Sequence, residues 1–194
     1  SVSHFGFIAI GVFVMTTLGQ SGASFYMVSH GFSTAALLLI VGYLMSRRGS
    51  ARIGDFGGVQ KVAPVLAGLF LVAGLSSLAL PGMSSFVSEF MVLQGAFQRH
   101  QVIAAIATIG IVLAATYILL MYKRTMTGPV ANTVAAFKDL RGREVAAIAP
   151  LVALILALGF FPQPVLDLVN PTSAWVMEHV GATDPQPTVM KAGR

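Results

Sequence analysis

The stretch Leu80-Pro81-Gly82-Met83-Ser84-Ser85-Phe86-Val87-Ser88-Glu89-Phe90 lies inside an apolar run that extends from Val62 to Phe97. Pro81 removes a backbone donor and clashes with the preceding helical turn, and Gly82 loosens the backbone further. At about 1.5 Å per residue a helix over this run would be roughly 54 Å long, well beyond a hydrocarbon core of about 30 Å. The sequence therefore predicts either two helices or one helix that is broken near Pro81.

The composition indicates an integral membrane protein. Of the 194 residues, 56% are hydrophobic and only 10% are charged, whereas soluble domains carry about 25% charged residues. The chain begins at Ser1 without a basic segment or a small-residue cleavage site, so we expect a fragment or a cleaved product of a longer membrane protein. It has no cysteine, so neither disulfides nor thiol chemistry are expected.

Five hydrophobic segments predict an all-α, polytopic transmembrane helix bundle of about five spans, including one discontinuous helix broken near Pro81. Gly19-Gln20-Ser21-Gly22 predicts the turn between the first two spans. The segments cover residues 3–18, 23–45, 62–97, 102–122 and 145–161.

The C-terminal part of the chain has a different composition. Val165 to Val180 is moderately amphipathic and contains Trp175, a plausible anchor at a membrane interface. The proline-containing tail to Arg194 is expected to be disordered. We therefore expect a transmembrane bundle over residues 1–164 and an external amphipathic segment with a flexible tail over residues 165–194.

The distribution of Lys and Arg predicts the orientation. Nine of the twelve basic residues lie in two loops, 46–61 and 123–144. If the broken run and the segment after it each cross once, the two loops lie on the same side, which the positive-inside rule assigns to the cytoplasm. The C-terminal tail is then external. Two full crossings within the broken run would put the two basic loops on opposite sides.

Glu89 is the principal candidate for a functional residue, because an ionisable group inside an apolar run costs several kcal/mol and is rarely kept without a role. Low-dielectric surroundings favour its neutral form, so it could exchange a proton near neutral pH. Ser85, one helical turn earlier, could hydrogen-bond the carboxyl group or hold water. The structural alternative is a buried carboxylate that bonds to loosened backbone and only stabilises the break.

His30 lies in the second span and belongs to a polar stripe formed by Tyr26, Ser33 and Thr34 at helical spacing. Histidine titrates near neutral pH and suits a proton relay, although a neutral histidine bonded to a neighbouring helix is the structural alternative. His4 near the start of the first span is a weaker candidate of the same kind. His100 and His179 fall in polar segments and are expected to be solvated.

Other chemistry has no support in the sequence. The net charge of +5 is concentrated in two loops, which argues against a nucleic-acid partner. No glycine-rich phosphate loop, no metal-ligand spacing and no nucleophile with an adjacent base is present. The sequence therefore predicts no cofactor and no metal in this chain.

Four motifs together resemble one family, the M-type antiporter-like membrane subunits of bacterial proton-pumping NADH-quinone oxidoreductase, the respiratory complex I. They occur in the expected order over about the first 165 residues. The motifs are Ser1-Val2-Ser3-His4-Phe5-Gly6-Phe7, Ser29-His30-Gly31-Phe32-Ser33, Leu80-Pro81-Gly82 with Phe86-Val87-Ser88-Glu89-Phe90, and Gly159-Phe160-Phe161-Pro162-Gln163-Pro164.

The resemblance implies the C-terminal part of a bundle of fourteen helices with two inverted five-helix repeats. Glu89 falls at the ionisable position of the family's discontinuous helix, where the sister subunits usually have lysine. His30 and His4 fall on histidines of the proposed proton path. Thr34 stands where L-type relatives have a lysine, which again favours the M type.

The implied function is proton translocation in the membrane arm, coupled to quinone reduction elsewhere in the complex. NADH, FMN, iron–sulfur clusters and quinone would be bound by other subunits, with no redox site in this chain. The implied partners are the other membrane-arm subunits, including the sister antiporter-like subunits, and the lipid bilayer of the bacterial plasma membrane. The alternatives are a subunit of a multisubunit cation/proton antiporter or of a membrane-bound hydrogenase, and a purely structural scaffold.

Overall fold

Over the residues that it describes, 1–185, the computed structural model contains α-helices joined by tight turns and by two longer loops. The helices are α1 (Val2–Phe13), α2 (Thr17–Arg48), α3 (Pro64–Ser77), α4 (Ser84–Arg99), α5 (Gln101–Met126), α6 (Gly142–Phe160) and α7 (Gln163–Val180). The predicted all-α transmembrane bundle is confirmed: α2, α5 and α6 are long and apolar enough to cross a membrane, and α1 and α3 are shorter apolar helices. Of the tail that is expected to be disordered, residues 186–194 lie outside the described range.

The turn between the first two spans lies earlier than the sequence suggested. The prediction of a turn at Gly19-Gln20-Ser21-Gly22 is wrong, because these residues lie within the first two turns of α2. The chain reverses instead at Met15, which has a φ of 52°, and Thr16 caps α2 by accepting a hydrogen bond from the backbone of Gly19 at 3.1 Å.

The glycines near the start of α2 serve close helix packing. A Cβ atom at Gly22 would lie 2.8 Å from the Cβ of Met91 and 2.9 Å from the backbone nitrogen of Val92 in α4. A Cβ atom at Gly95 would lie 2.6 Å from the backbone nitrogen of Gly19. α2 and α4 are therefore in backbone contact, which small residues allow within a membrane. We call this contact the glycine seam.

The predicted break near Pro81 is confirmed. α3 ends at Ser77 and α4 begins at Ser84, and residues 78–83 form a non-helical linker between them. The linker contains two residues in the left-handed region, Ala79 with a φ of 52° and Gly82 with a φ of 93°. It keeps part of its hydrogen bonding through turns, since the backbone of Leu80 donates to Leu75 and that of Met83 donates to Leu80.

The two basic loops pack together at one end of the bundle. The backbone of Gly58 donates to the carbonyl of Thr127, and Ala131 donates to Gly57. Phe56, Val59 and Val134 are buried beneath this contact. The basic segments are shorter than the sequence suggested, because α2 extends to Arg48, α5 extends to Met126 and α6 begins at Gly142.

Polar contacts fix the helix ends on this side. The carboxylate of Asp139 accepts hydrogen bonds from the backbone nitrogens of Val65 at 2.8 Å and Leu66 at 3.0 Å, in the first turn of α3. Arg47 at the end of α2 pairs with Glu144 in the first turn of α6 at 2.7 Å. An anion at a helix N-terminus satisfies free donors and complements the helix dipole. The loop before α6 therefore anchors α3.

The C-terminal amphipathic segment is helical and contacts the bundle. α7 packs along α2, with Ser173 and Met177 buried. The expected boundary between residues 164 and 165 falls inside the first turn of this helix.

We expect Asp139→Ala to destabilise the protein by about 1–2 kcal/mol, because it removes both acceptors from the first turn of α3. The measurement is the thermal unfolding midpoint of the detergent-purified protein. Lys138→Ala is the matched control, since within residues 1–185 Lys138 bonds through its backbone carbonyl, to Arg47, and not through its side chain. An unchanged midpoint for Asp139→Ala would contradict the anchoring role.

We expect Gly22→Ala to lower the unfolding midpoint, because the added methyl group meets the backbone of α4. The same change at Gly42 is the control, because an added Cβ there would meet no atom of another segment of the described chain within 4 Å. Gly42→Ala should be neutral or stabilising by up to about 1 kcal/mol, as expected from helix propensity. Equal effects of the two substitutions would show that the glycine seam does not hold the helices together.

Candidate functional site

Glu89 and Tyr26 meet in the glycine seam. The Tyr26 hydroxyl donates a hydrogen bond to Oε2 of Glu89 at 3.1 Å. Both side chains are buried, with 1% of Tyr26 and 6% of Glu89 exposed. Along the seam, positions 19, 22 and 26 of α2 meet positions 95, 92 and 89 of α4, so the two helices run antiparallel. The small residues bring the backbones close enough for the phenol to reach the carboxyl group.

His4 and His30 contact each other directly. Their Nδ1 atoms lie 2.9 Å apart, and the ring centroids are separated by 4.9 Å in an edge-on arrangement. Both rings are buried. One Nδ1 must donate and the other must accept, so this contact holds one shared proton. The protonation of one ring therefore affects the hydrogen bonding of the other.

Tyr26 joins the histidine pair to Glu89. Its ring is stacked on that of His4, with centroids 5.8 Å apart. The four side chains form a buried row in the order His30, His4, Tyr26 and Glu89, drawn from α1, α2 and α4. Direct contacts at hydrogen-bonding distance join His30 to His4 at one end of the row and Tyr26 to Glu89 at the other. A proton would need a water molecule to pass between His4 and Tyr26, because ring stacking is not a hydrogen bond.

The polar residues that were expected to support His30 and Glu89 make different contacts from one another. Thr34 Oγ1 lies 3.2 and 3.3 Å from the two ring nitrogens of His30. The Ser33 hydroxyl donates to the backbone carbonyl of Ser29 and faces no other polar side chain among the described contacts. Ser85 Oγ lies 3.4 Å from Ser76 Oγ across the break. The Glu89 carboxyl group is therefore bonded by Tyr26, where the sequence suggested Ser85.

Several buried serines near the break, in α2, α3 and α4, were not proposed as site residues from the sequence. Ser29 Oγ and Ser84 Oγ are buried and have no hydrogen-bond partner within the described residues. The register of the seam places Ser29 opposite the first turn of α4. The signal in the sequence was the pair Ser76-Ser77 before the break and Ser84-Ser85 after it. These hydroxyls give the broken backbone polar surroundings inside an apolar bundle.

The fold and the site together define a class of membrane protein: a helical bundle with a discontinuous helix and a buried row of ionisable side chains. A sequence model of the family described as "NADH:quinone oxidoreductase/Mrp antiporter, TM" matches residues 1–115. This match covers more than half of the 194 residues. The chain belongs to this family of membrane subunits.

Curated relatives are similar over nearly the whole chain. NADH-quinone oxidoreductase subunit M of Mycobacterium tuberculosis is 53% identical over 189 residues, which are 97% of this chain and 34% of the relative. Subunit M of Rickettsia prowazekii is 43% identical over 171 residues, which are 88% of this chain and 35% of the relative. The chain thus spans about a third of the length of the curated relatives that it matches.

Two solved structures share the fold. The respiratory complex I from Thermus thermophilus with bound NADH contains a chain with a TM-score of 0.84 and 31% identity, over 92% of this chain and 38% of that one. The Mrp complex from Dietzia contains a chain with a TM-score of 0.78 and 24% identity, over 92% of this chain and 41% of that one. The second likeness concerns the fold alone.

We expect His4→Ala and His30→Ala to be strongly non-additive, because each removes the same contact. The double variant should be destabilised little more than the worse single variant, with an interaction energy of about 0.5–3 kcal/mol. The measurement is a double-mutant cycle on the free energy of unfolding. The control cycle pairs His4→Ala with His100→Ala, since His100 is exposed between α4 and α5, and should be additive. Additivity of His4 and His30 would contradict a shared proton site.

Proposed function

We propose that this chain is the C-terminal part of a proton-translocating membrane subunit of NADH-quinone oxidoreductase, the respiratory complex I. The observation that carries the proposal is the buried hydrogen bond from Tyr26 to Glu89, next to the His4–His30 contact. Similarity to the M subunits of other bacteria supports the same assignment. Buried ionisable groups that face a bundle interior are typical of proton paths.

In this function Glu89 is the terminal proton carrier of the path. His30 and His4 feed it, and Tyr26 passes the proton through its hydroxyl with water between the rings. Thr34 orients the His30 ring, while Ser33 and Ser85 line the polar region of the break. Pro81 and Gly82 interrupt the helix and so allow polar groups and water to approach the carboxyl group.

Redox chemistry takes place elsewhere in the proposed complex. NADH, FMN, iron–sulfur clusters and quinone are bound by other subunits, and quinone reduction drives proton movement through electrostatic and conformational coupling. The partners are the other membrane-arm subunits, including the sister antiporter-like subunits, and the lipid bilayer. No nucleic acid takes part.

The orientation follows from charge. The two basic loops, 46–61 and 123–144, face the cytoplasm of a bacterial plasma membrane, and the C-terminal tail faces the outside. The contact between the two loops supports a common side for them, because they pack at one end of the bundle.

A subunit of a multisubunit cation/proton antiporter is the second candidate, favoured by the family model, which covers both types, and by the shared fold. A membrane-bound hydrogenase is a related possibility. Glu89 argues for the complex I assignment, because the resemblance assigns lysine to this position in the antiporters. Mass spectrometry of the complex purified through this chain separates them: NADH-module subunits support complex I, and their absence supports an alternative.

We expect Glu89→Gln, introduced into the native complex, to remove proton translocation while leaving assembly intact. The amide keeps the shape and the hydrogen bond from Tyr26 but does not exchange a proton. The measurement is proton uptake per NADH oxidised in sealed membrane vesicles, with the amount of assembled complex determined in parallel. Glu178→Gln is the matched control, since Glu178 is exposed on α7.

A purely structural role predicts the opposite pattern. Glu89→Gln would then leave proton uptake per NADH unchanged. Gly74→Leu would instead prevent assembly, because a side chain there meets Ile118 of α5.

A further inference from the structure

The C-terminal end of α6 lies directly against the break between α3 and α4. A Cβ atom at Gly159 would lie 2.6 Å from the carbonyl carbon of Gly82 and 2.8 Å from that of Met83. The end of the Phe160 ring lies 3.5 Å from the position that a Cβ of Gly82 would occupy. The nearest atoms that Gly159 faces all belong to the backbone, so none can rotate away from a larger residue. Glycine is required for this close approach.

α6 is itself interrupted at this level. The helix ends at Phe160, the chain passes through Phe161 and Pro162, and α7 begins at Gln163. Proline cannot continue the hydrogen-bond ladder of a helix, which explains the interruption. The second helix break, at residues 161–162, therefore directly follows the α6 residues that contact the first break, at residues 78–83.

α7 continues from this point towards the other end of the bundle. At its far end, Asp184 accepts a hydrogen bond from the backbone of Thr17 at 2.7 Å, and Arg99 donates to the carbonyl of Thr183. α7 thus begins at the break and ends beside the last residue of α4. At about 1.5 Å per residue, α4 rises roughly 24 Å and α7 roughly 27 Å, so α7 covers the same height.

We propose that α6 and α7 form a second broken span, and that the end of α6, just before its break, packs on the first break at residues 78–83. Gly159 is then a positioning residue for this first break, after which α4 carries Glu89. The role of Glu89 in this statement rests on the proposed function. The seating itself rests on the contacts of Gly159 and Phe160. Residues 165–180 then lie at membrane depth beside α2, and the expected external segment is part of the bundle.

The contact of α6 with the linker matters because both halves of the broken helix, α3 and α4, are held elsewhere. α4 is fixed to α2 by the glycine seam, and α3 is anchored at its first turn by Asp139. The linker between them includes two residues with positive φ, Ala79 and Gly82. The end of α6 packs on this linker and stabilises its conformation. A displacement of α6 therefore acts directly on the linker.

The first experiment introduces a reporter, Ser84→Cys, into the native membrane complex. Ser84 is fully buried beside the break, so a thiol there reacts slowly with a maleimide. Adding Gly159→Ala should raise the labelling rate of the peptide that carries residue 84 by roughly tenfold, because local opening controls access. Adding Gly68→Ala should leave the rate unchanged, because an added Cβ at this position in α3 would meet no atom of another segment of the described chain within 4 Å.

A second variant guards against simple unfolding. Phe160→Ala removes the ring from Gly82 without adding any atom, and should raise labelling in the same direction by a smaller factor. Both variants should assemble but translocate fewer protons per NADH. Gly68→Ala should assemble and translocate the normal number. Unchanged labelling in both variants would overturn the positioning role. Raised labelling combined with normal pumping in Glu89→Gln would retain the seating and reject the proposed function.

The depth of α7 is tested with a nitroxide at Leu168→Cys, a residue exposed early in the helix. A second broken span predicts frequent collisions with oxygen and few with a water-soluble nickel complex. Ile53→Cys in the loop between α2 and α3 is the control and should show the reverse. A Leu168 label that collides freely with nickel would place α7 in water and overturn the second span.

Discussion

The backbone contact between α2 and α4 is the constraint on which the rest of the structure depends. Gly19, Gly22 and Gly95 lack side chains, so the two helices approach until atoms of their backbones touch. In lipid, such packing replaces the hydrophobic driving force that holds soluble helices together. The contact brings Tyr26 within hydrogen-bonding distance of Glu89, so the same glycines that hold the bundle also assemble the site.

The break between α3 and α4 is tolerated because its polar groups are kept away from lipid. Serines flank the non-helical residues on both sides, turns satisfy part of the backbone, and the end of α6 covers the linker. Backbone opened at membrane depth survives only under such conditions. The bundle therefore combines one rigid region, the glycine seam, with one region in which the backbone is conformationally less constrained.

Much of the fold could be predicted from the sequence, because apolar segments and helix breakers are local signals. The break near Pro81 and the order of the spans followed from them. The prediction of a turn at Gly19 to Gly22 was wrong. Glycine is common both in turns and at close helix contacts, and only the presence of the partner helix distinguishes the two cases. Tyr26, His30 and Thr34 could be grouped by helical spacing. Contacts between distant segments, such as His4 with His30 or Asp139 with α3, had no local signal.

The anchoring of α3 by Asp139 has a consequence for the amplitude of motion at the break. α3 has 14 residues and is held at its first turn by a loop that also bonds to the loop between α2 and α3. With a length of about 21 Å, a tilt of about 10° around that fixed end would displace Ser77 by nearly 4 Å. A displacement of this size is enough to break the contact across the break between the Ser76 and Ser85 hydroxyls, which lie 3.4 Å apart. A small angular change at the basic end of the bundle is thus enough to connect or disconnect the serines next to Glu89.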